Sequence, residues 1–333
     1  MTNNENNKQN KNLFEGVNME NEKMISEQPA VVQNEPQNTV EIKENAPKKK
    51  FRIGWFILSI VPVFATLLLQ SLAQTPFMLL ATFDLIEAGA DTSNTLDFAD
   101  QLMKIYGEKY ATYGLILYGI AAIVVFGIWY LKAYVKKNPK VSLKEVFGVK
   151  SVVAAVVSVV SLQFIIYAGM MAINALFPHA FDAYNNMMNS VGLGNDVLLT
   201  VVYGIILAPI AEELVVRGLS FGYLNKSGLK PVAAILVSAL LFGFMHLNLV
   251  QGVYTFLFGV VLAFLRYKYR SVMISIVAHI CFNFFGSYGI VLFEKLGFNE
   301  TVFYILGAVS VAVLVFCFFI VKSEKKAFKG VAA

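Results

Sequence analysis

The stretch APIAEELVVRGLSFG, residues 208–222, places charged side chains inside a chain that otherwise consists of long apolar runs. Glu212 and Glu213 are adjacent, and Arg217 follows four residues after Glu213. An ionisable side chain at the depth of a lipid bilayer costs about 2.5–3.5 kcal/mol on insertion scales, so it is expected to face a partner or a wet cavity. The stretch therefore indicates a functional site within a membrane span.

The composition supports a membrane protein. Hydrophobic residues make up 57% of the 333 residues and charged residues 15%, whereas soluble domains are about 45–50% apolar and about 25% charged. The apolar runs that begin at Ile53 are long enough for transmembrane helices of about 20 residues. We predict an all-α polytopic transmembrane helix bundle with eight spans, near residues 53–81, 111–131, 152–176, 196–222, 231–248, 251–267, 271–292 and 301–321.

The charges between these runs predict the topology. Lysine and arginine cluster before the first span and after the second, fourth, sixth and eighth, whereas the loops after the first and third spans are acidic. Basic loops stay on the cytoplasmic side. Both termini are therefore expected in the cytoplasm, and the alternation favours an even number of spans.

The chain divides into four regions by composition. Residues 1–50 are rich in Asn, Glu, Gln and Lys, which predicts a disordered cytoplasmic tail rather than a cleaved signal peptide. The first spans and their loops cover residues 51–195, the spans with charged side chains cover 196–295, and the last span with its basic tail covers 296–333.

Two further features of the composition exclude some functions. The net charge of +5 is spread over separate loops, so nucleic acid is not an expected partner. Cys281 and Cys317 both lie in apolar stretches, where cysteine usually packs as a small hydrophobic residue. Two such cysteines form neither a disulfide framework nor a cysteine-based metal site.

The spacing within the opening stretch assigns different roles to its two carboxylates. Glu213 and Arg217 are four residues apart, so they can pair across one helical turn. Glu212 then remains as a spare carboxylate that faces a neighbouring helix and could act as a general base. Pro209 has no backbone N–H for the carbonyl of Ile205, which weakens the helix just before these residues. The alternative is a structural ion pair beside an incidental glutamate.

Two later spans carry polar residues at helical spacing. Phe242 and His246 share a face of the fifth span, and His279 and Asn283 share a face of the seventh. A lone membrane histidine is more often a packing residue than a catalyst. However, an imidazole and a carboxamide spaced about 6 Å apart could stabilise an oxyanion. Three polar clusters on three spans each need a partner inside the membrane, and contact with one another has the lowest free-energy cost.

These residues resemble a known family. Glu212, Glu213 and Arg217 match an EExxxR motif, Phe242 and His246 match FxxxH, and the third motif is HxxxN. In this order on successive spans, the three motifs resemble the CPBP family, which includes CaaX prenyl proteases and bacteriocin-processing membrane proteases. The resemblance covers roughly residues 196–295.

The resemblance implies an intramembrane endopeptidase of the glutamic type. Glu212 would activate a water with His246 as its partner, His279 and Asn283 would bind the oxyanion, and three residues, Glu213, Arg217 and Phe242, would support them. No cofactor is then expected. Two histidines and a glutamate are also a plausible zinc ligand set, although the HExxH helix of many zinc proteases is absent from the sequence.

The resemblance also implies a location and partners. The expected location is the bacterial plasma membrane, with the lipid bilayer and a peptide or protein at the membrane as partners. The substrate would be a CaaX-like peptide, a peptide pheromone or a bacteriocin leader. One alternative is a non-catalytic scaffold or bacteriocin immunity protein on the same fold. Another is a proton-coupled transporter, but the sequence has no evident inverted repeat.

One point of geometry stays open in the sequence. On straight helices, His246 lies about 22 Å from the start of the fifth span, whereas His279 lies about 12 Å from the start of the seventh. Straight spans therefore do not bring the two histidines to one depth. The fifth helix begins nearer the membrane interior, or it tilts, or the cavity is deep.

Overall fold

A computed structural model of the protein describes residues 50–137, 143–179, 182 and 197–323. Every regular element in these ranges is a helix, and the ranges contain no strand. The predicted all-α membrane bundle is therefore confirmed. The predicted disordered tail, apart from Lys50, and the end of the basic C-terminal tail, residues 324–333, lie outside the described residues. The proposed division into four regions stays a prediction.

The helices follow one another with short connections. In chain order they are α1 (Ile53–Leu58), α2 (Val61–Glu87), α3 (Thr95–Ile105), α4 (Ala111–Ala133), α5 (Leu143–Val146), α6 (Val149–Leu176), α7 (Val197–Val202), α8 (Ala208–Glu213), α9 (Phe221–Lys226), α10 (Pro231–Met245), α11 (Leu249–Tyr269), α12 (Val272–Phe284), α13 (Ile290–Lys295) and α14 (Glu300–Ser323). Wider π-helical turns join some of them without a break, at Tyr106–Tyr110, Tyr203–Leu207, Leu214–Ser220 and Phe285–Gly289.

Seven helical segments in the described part of the chain are long and apolar enough to cross a membrane. They are Ile53–Glu87, Thr95–Ala133, Val149–Leu176, Leu198–Lys226, Leu249–Tyr269, Val272–Lys295 and Glu300–Ser323. The remaining predicted span corresponds to α10, an apolar helix of only 15 residues. At 1.5 Å per residue α10 is about 22 Å long, which is shorter than the hydrocarbon core of about 30 Å.

One predicted loop is helical. The acidic stretch between the first two spans folds into α3, which continues through a π-helical turn into α4. Asn94 caps the start of α3, because its side chain accepts a hydrogen bond of 3.3 Å from the backbone N–H of Asp97. The hydrophobic pattern of a span alone does not reveal such a helix, because α3 carries acidic residues and has no buried residue.

The fourth segment, residues 197–226, is surrounded by other helices. It contacts α2 and α4 on the side of the N-terminal spans and α10, α11 and α12 on the other side. The side chains from Val215 to Leu224 are all buried. By contrast, α14 packs along α6 and leaves large apolar side chains such as Phe316 and Phe319 exposed, as expected for a face turned toward lipid. The packing therefore places the charged segment at the centre of the bundle.

Candidate active site

The helix that carries the two glutamates is short and irregular at both ends. Helix α8 ends at Glu213, with the π-helical turn Tyr203–Leu207 before it and the turn Leu214–Ser220 after it. Pro209 lies in the first turn of α8, where a missing N–H is tolerated best. π-helical turns are rare and often occur at functional sites. The expected weakening near Pro209 thus coincides with a real irregularity in the helix.

Glu213 and Arg217 form an ion pair that is completely enclosed. Arg217 Nη1 donates to Glu213 Oε1 at 2.8 Å, and both side chains are 0% exposed. Arg217 Nη2 also donates to the carbonyl of Gly259 at 3.2 Å, and the guanidinium lies 4.3 Å from the ring centre of Phe242. These contacts fix the arginine, and the arginine in turn fixes the position of Glu213.

His279 lies between the two carboxylates. Its Nδ1 is 3.1 Å from Glu213 Oε1, and its Nε2 is 3.6 Å from Glu212 Oε2. A carboxylate only accepts hydrogen bonds, so the Nδ1–H of His279 donates to Glu213. With Nδ1 as donor to Glu213, Nε2 accepts in the neutral ring and donates only in the imidazolium form. The imidazole is thus oriented by Glu213 and directed at Glu212.

Glu212 is the more accessible of the two glutamates. Its side chain is 19% exposed, compared with 0% for Glu213. The contact of 3.6 Å with His279 Nε2 is too long for a direct hydrogen bond. However, a single oxygen atom can lie at about 2.8 Å from both atoms. This arrangement suits a water or a substrate oxygen held between a carboxylate and an imidazole.

The ring of Phe242 contacts both histidines. Its centre lies 5.1 Å from the ring centre of His246 and 5.7 Å from that of His279, both in edge-to-face geometry. The two histidines therefore lie on neighbouring parts of the bundle despite their different positions along their helices. Helix α10 ends at Met245, so His246 follows directly after the short helix, and Leu247 then turns the chain with a positive φ of 53°.

His246 has one ring nitrogen engaged. Its Nδ1 is 2.9 Å from the carbonyl oxygen of Phe242, and since a carbonyl only accepts, Nδ1 carries the proton. In the neutral ring, Nε2 is then the nitrogen that can accept a proton. Within the described part of the chain, Glu212 contacts His279 rather than His246. The expected partnership of Glu212 with His246 stays a prediction.

Asn283 contacts the fourth segment through its carboxamide. Its Nδ2 donates to the carbonyl of Gly204 at 2.8 Å, within the π-helical turn that precedes α8. This bond ties α12 to the segment that carries the glutamates. The expected role of His279 and Asn283 as oxyanion donors stays a prediction, because in this structure both side chains contact protein groups.

Several neighbours of the site have no signature in the sequence. Phe258 lies edge-to-face on His279 with ring centres 4.9 Å apart, and it stacks on Phe282 at 3.8 Å. Tyr118 lies in the same buried cluster as Ala211, the residue before Glu212, and Tyr203 lies in the π-helical turn that precedes α8. An aromatic residue in an apolar span is usually a packing residue, so only the tertiary structure identifies these neighbours.

The described residues also bear on a possible metal site. Within the ranges given above, no group of three or more His, Cys, Asp or Glu side chains is arranged to hold a metal ion. Glu212 and Glu213 instead face different nitrogens of one imidazole. The arrangement of these side chains is that of an ion-paired cluster.

A comparison with protein families supports the resemblance noted in the sequence. Residues 194–285 match the family described as type II CAAX prenyl endopeptidase Rce1-like. This segment includes all seven predicted site residues, from Glu212 to Asn283. No curated protein and no solved structure matches the chain significantly. Residues 194–285 are therefore similar to the Rce1-like family of type II CAAX prenyl endopeptidases.

Proposed function

We propose that the Rce1-like domain hydrolyses a peptide bond at the membrane with a water activated by Glu212. The observation that supports this most strongly is the position of His279, whose two ring nitrogens face Glu212 and Glu213 in a largely buried cluster. Glu213 and Arg217 hold one side of the imidazole, and the more exposed Glu212 is left on the other side. Such an arrangement provides one base and one oriented donor.

The proposed reaction begins with a water beside Glu212. The carboxylate takes a proton from this water, and the hydroxide oxygen forms a bond to the scissile carbonyl carbon. The negative charge that develops on the carbonyl oxygen is stabilised by donors from His279 and Asn283. The C–N bond then breaks as the proton passes from Glu212 to the leaving nitrogen. His246, with Nε2 able to accept a proton, assists the proton transfers.

Asn283 can keep its present contact in this mechanism. Its Nδ2 donates to the carbonyl of Gly204, but a carboxamide has two N–H donors. The second N–H is the one that we assign to the oxyanion. The bond to Gly204 then serves to orient the carboxamide while the other N–H meets the substrate.

We propose a peptide or protein substrate that approaches from the cytoplasm, and no metal cofactor. A CaaX-like peptide, a peptide pheromone and a bacteriocin leader are the candidate substrates, in a bacterial plasma membrane with both chain termini cytoplasmic. Lys230, between α9 and α10, and Arg270, between α11 and α12, support this orientation. Activity that survives a strong zinc chelator would support hydrolysis without metal, and activity lost to the chelator and restored by zinc would overturn it.

The decisive test of function uses Glu212→Ala. Membranes from cells with the parent protein, with Glu212→Ala and with Glu87→Ala are compared for peptide ends by mass spectrometry. Glu87 is an exposed glutamate at the end of α2, so its replacement controls for the loss of a carboxylate. We expect one set of cleavage products to disappear in Glu212→Ala only, since loss of a general base lowers rates about 10²–10⁴-fold.

The purified protein then completes the test. In liposomes, the parent and Glu87→Ala should cleave the identified peptide, and Glu212→Ala should not. If Glu212→Ala cleaves as fast as the parent, the proposed mechanism is wrong. If no peptide in the membranes differs between the three proteins and none of them cleaves in liposomes, the non-catalytic scaffold or immunity function replaces the proposal.

A further inference from the structure

The first two spans bury a pair of hydroxyl groups between them. Thr66 on α2 and Tyr118 on α4 lie with their oxygen atoms 2.7 Å apart, and the two residues are 1% and 4% exposed. Both residues lie outside residues 194–285, the segment that matches the endopeptidase family. The pair therefore belongs to a part of the chain for which the family match assigns no role.

Thr66 behaves differently from the other hydroxyl residues of α2. Ser71, Thr75 and Thr82 each donate to the backbone carbonyl four residues earlier, which is the common arrangement in membrane helices. Thr66 instead contacts Tyr118, on a different helix. The pair contains two hydroxyl protons, and the bond between the two oxygens uses only one of them. The second proton is available to a further acceptor.

The packing of α4 brings this pair to the segment with the glutamates. Gly119, the residue after Tyr118, lies so close to this segment that a Cβ atom there would be 2.9 Å from Leu207 Cβ. Tyr118 also belongs to the same buried cluster as Ala211 and Val215, which flank the two glutamates. Helix α4 also packs against α8, the helix that carries Glu212 and Glu213. Glu213 is engaged by Arg217 and His279, so the carboxylate of Glu212 is the acceptor of α8 that we assign to the hydroxyl pair.

We infer that Tyr118 is a positioning residue for Glu212. Thr66 donates to the Tyr118 oxygen, and the phenolic proton is directed to the Glu212 carboxylate, directly or through one water. The hydrogen bond holds the carboxylate in the orientation from which it takes a proton, opposite His279 Nε2. On this inference, the site is complete only when the first two spans are packed against the Rce1-like domain.

The kinetic test rests on the proposed function and uses the peptide that the Glu212→Ala comparison identifies. We expect Tyr118→Phe to lower kcat about 10- to 100-fold, because hydrogen bonds to charged groups have this strength, with little change in KM. Thr66→Val should have a smaller effect, and Thr66→Ser, which restores the hydroxyl, should restore the rate. Tyr113→Phe removes a hydroxyl from an exposed residue of the same helix and serves as the control.

A second measurement does not depend on activity. The infrared difference spectrum between the parent and Glu212→Gln isolates the carboxylate band of Glu212, and the same difference is recorded in the Tyr118→Phe and Tyr113→Phe backgrounds. We expect the band to shift in Tyr118→Phe only. An unchanged band overturns the inference whether or not the protein is a protease.

Folding of the variants is checked separately. Tyr118→Phe should remain folded, because Thr66 can then donate to the preceding turn as Ser71 and Thr75 do. Thermal unfolding in detergent is measured for each variant. The inference is overturned if Thr66→Ser does not restore activity and if activity falls in step with the unfolding temperature across all variants. That result would show a purely structural role for the pair.

Discussion

Two ion pairs between basic and acidic residues in the described part of the chain lie in very different surroundings. Arg217 and Glu213 pair at 2.8 Å with both side chains 0% exposed, whereas Lys109 and Asp84 pair at 2.5 Å with side chains 61% and 33% exposed. Asp84 also accepts a hydrogen bond of 2.7 Å from Tyr110. The two pairs use the same chemistry and similar distances, and they differ in what surrounds them.

The difference in surroundings decides how strongly each charged side chain depends on its partner. Water competes with an exposed pair and can solvate either partner when the other is removed. Neither partner of the buried pair can turn to water, so each depends on the other and on nearby groups such as the carbonyl of Gly259 and the ring of Phe242. The buried pair therefore fixes the position of His279, which the exposed pair could not do for any neighbour.

Removing the buried cation should have the largest effect on stability. Arg217→Met leaves Glu213 enclosed without its guanidinium, and loss of one partner of a buried pair costs about 3–5 kcal/mol. We expect a correspondingly lower free energy of unfolding in detergent titrations. Arg217→Met combined with Glu213→Gln removes both charges and should recover part of the loss. A single variant as stable as the parent would mean that the enclosure of the pair is not energetically important.

Crowding the arginine should have an intermediate effect. A Cβ atom at Gly259 would lie 3.0 Å from the Ala239 Cα and 3.3 Å from Arg217 Nη2. Overpacking of this kind costs about 1–3 kcal/mol, so Gly259→Ala should lower the unfolding temperature and the proteolytic rate. The control is Gly54→Ala in α1, where a Cβ atom meets nothing within 4 Å. If Gly259→Ala and Gly54→Ala have the same unfolding temperature, the close approach at Gly259 does not constrain the arginine.

Removing the exposed cation should have the smallest effect. Lys109→Met breaks the pair with Asp84, but water and Tyr110 still satisfy the carboxylate. We expect no measurable change in the unfolding temperature and no change in cleavage. The measurement is the same thermal unfolding in detergent, repeated at low and high salt. A large destabilisation by Lys109→Met would remove the contrast between the two pairs.

The sequence predicted much of the site because its strongest signals are local. The spacing of four residues between Glu213 and Arg217 depends on one helix only, and the apolar runs identify the eight helical segments. The match of residues 194–285 to an Rce1-like family confirms the family that the three motifs indicated. Contacts between helices were harder to predict from the sequence. The contact of 3.6 Å between His279 Nε2 and Glu212 Oε2 joins two spans and is one example, and the expected partnership of Glu212 with His246 stays a prediction.

The physical reason lies in the irregular parts of the helices. A π-helical turn bonds each residue to the fifth residue along the chain, so the face on which later side chains lie differs from that of a regular α-helix. Such turns lie on both sides of α8 and after α12. A regular helical periodicity therefore does not carry across such turns. Near the end of the short helix α10, Phe242 contacts the rings of both histidines, although straight spans placed the two histidines at different depths.

The sequence by itself determined that this chain is a helical membrane protein with a charged cluster in one span and polar partners in two others. These features follow from hydrophobicity and from the spacing of residues along single helices. Only the tertiary structure decided that His279 lies between Glu212 and Glu213, that Phe242 contacts His279, and that Thr66 and Tyr118 meet between α2 and α4. Each of these contacts joins residues that are far apart in the chain, and packing between helices alone brings them together.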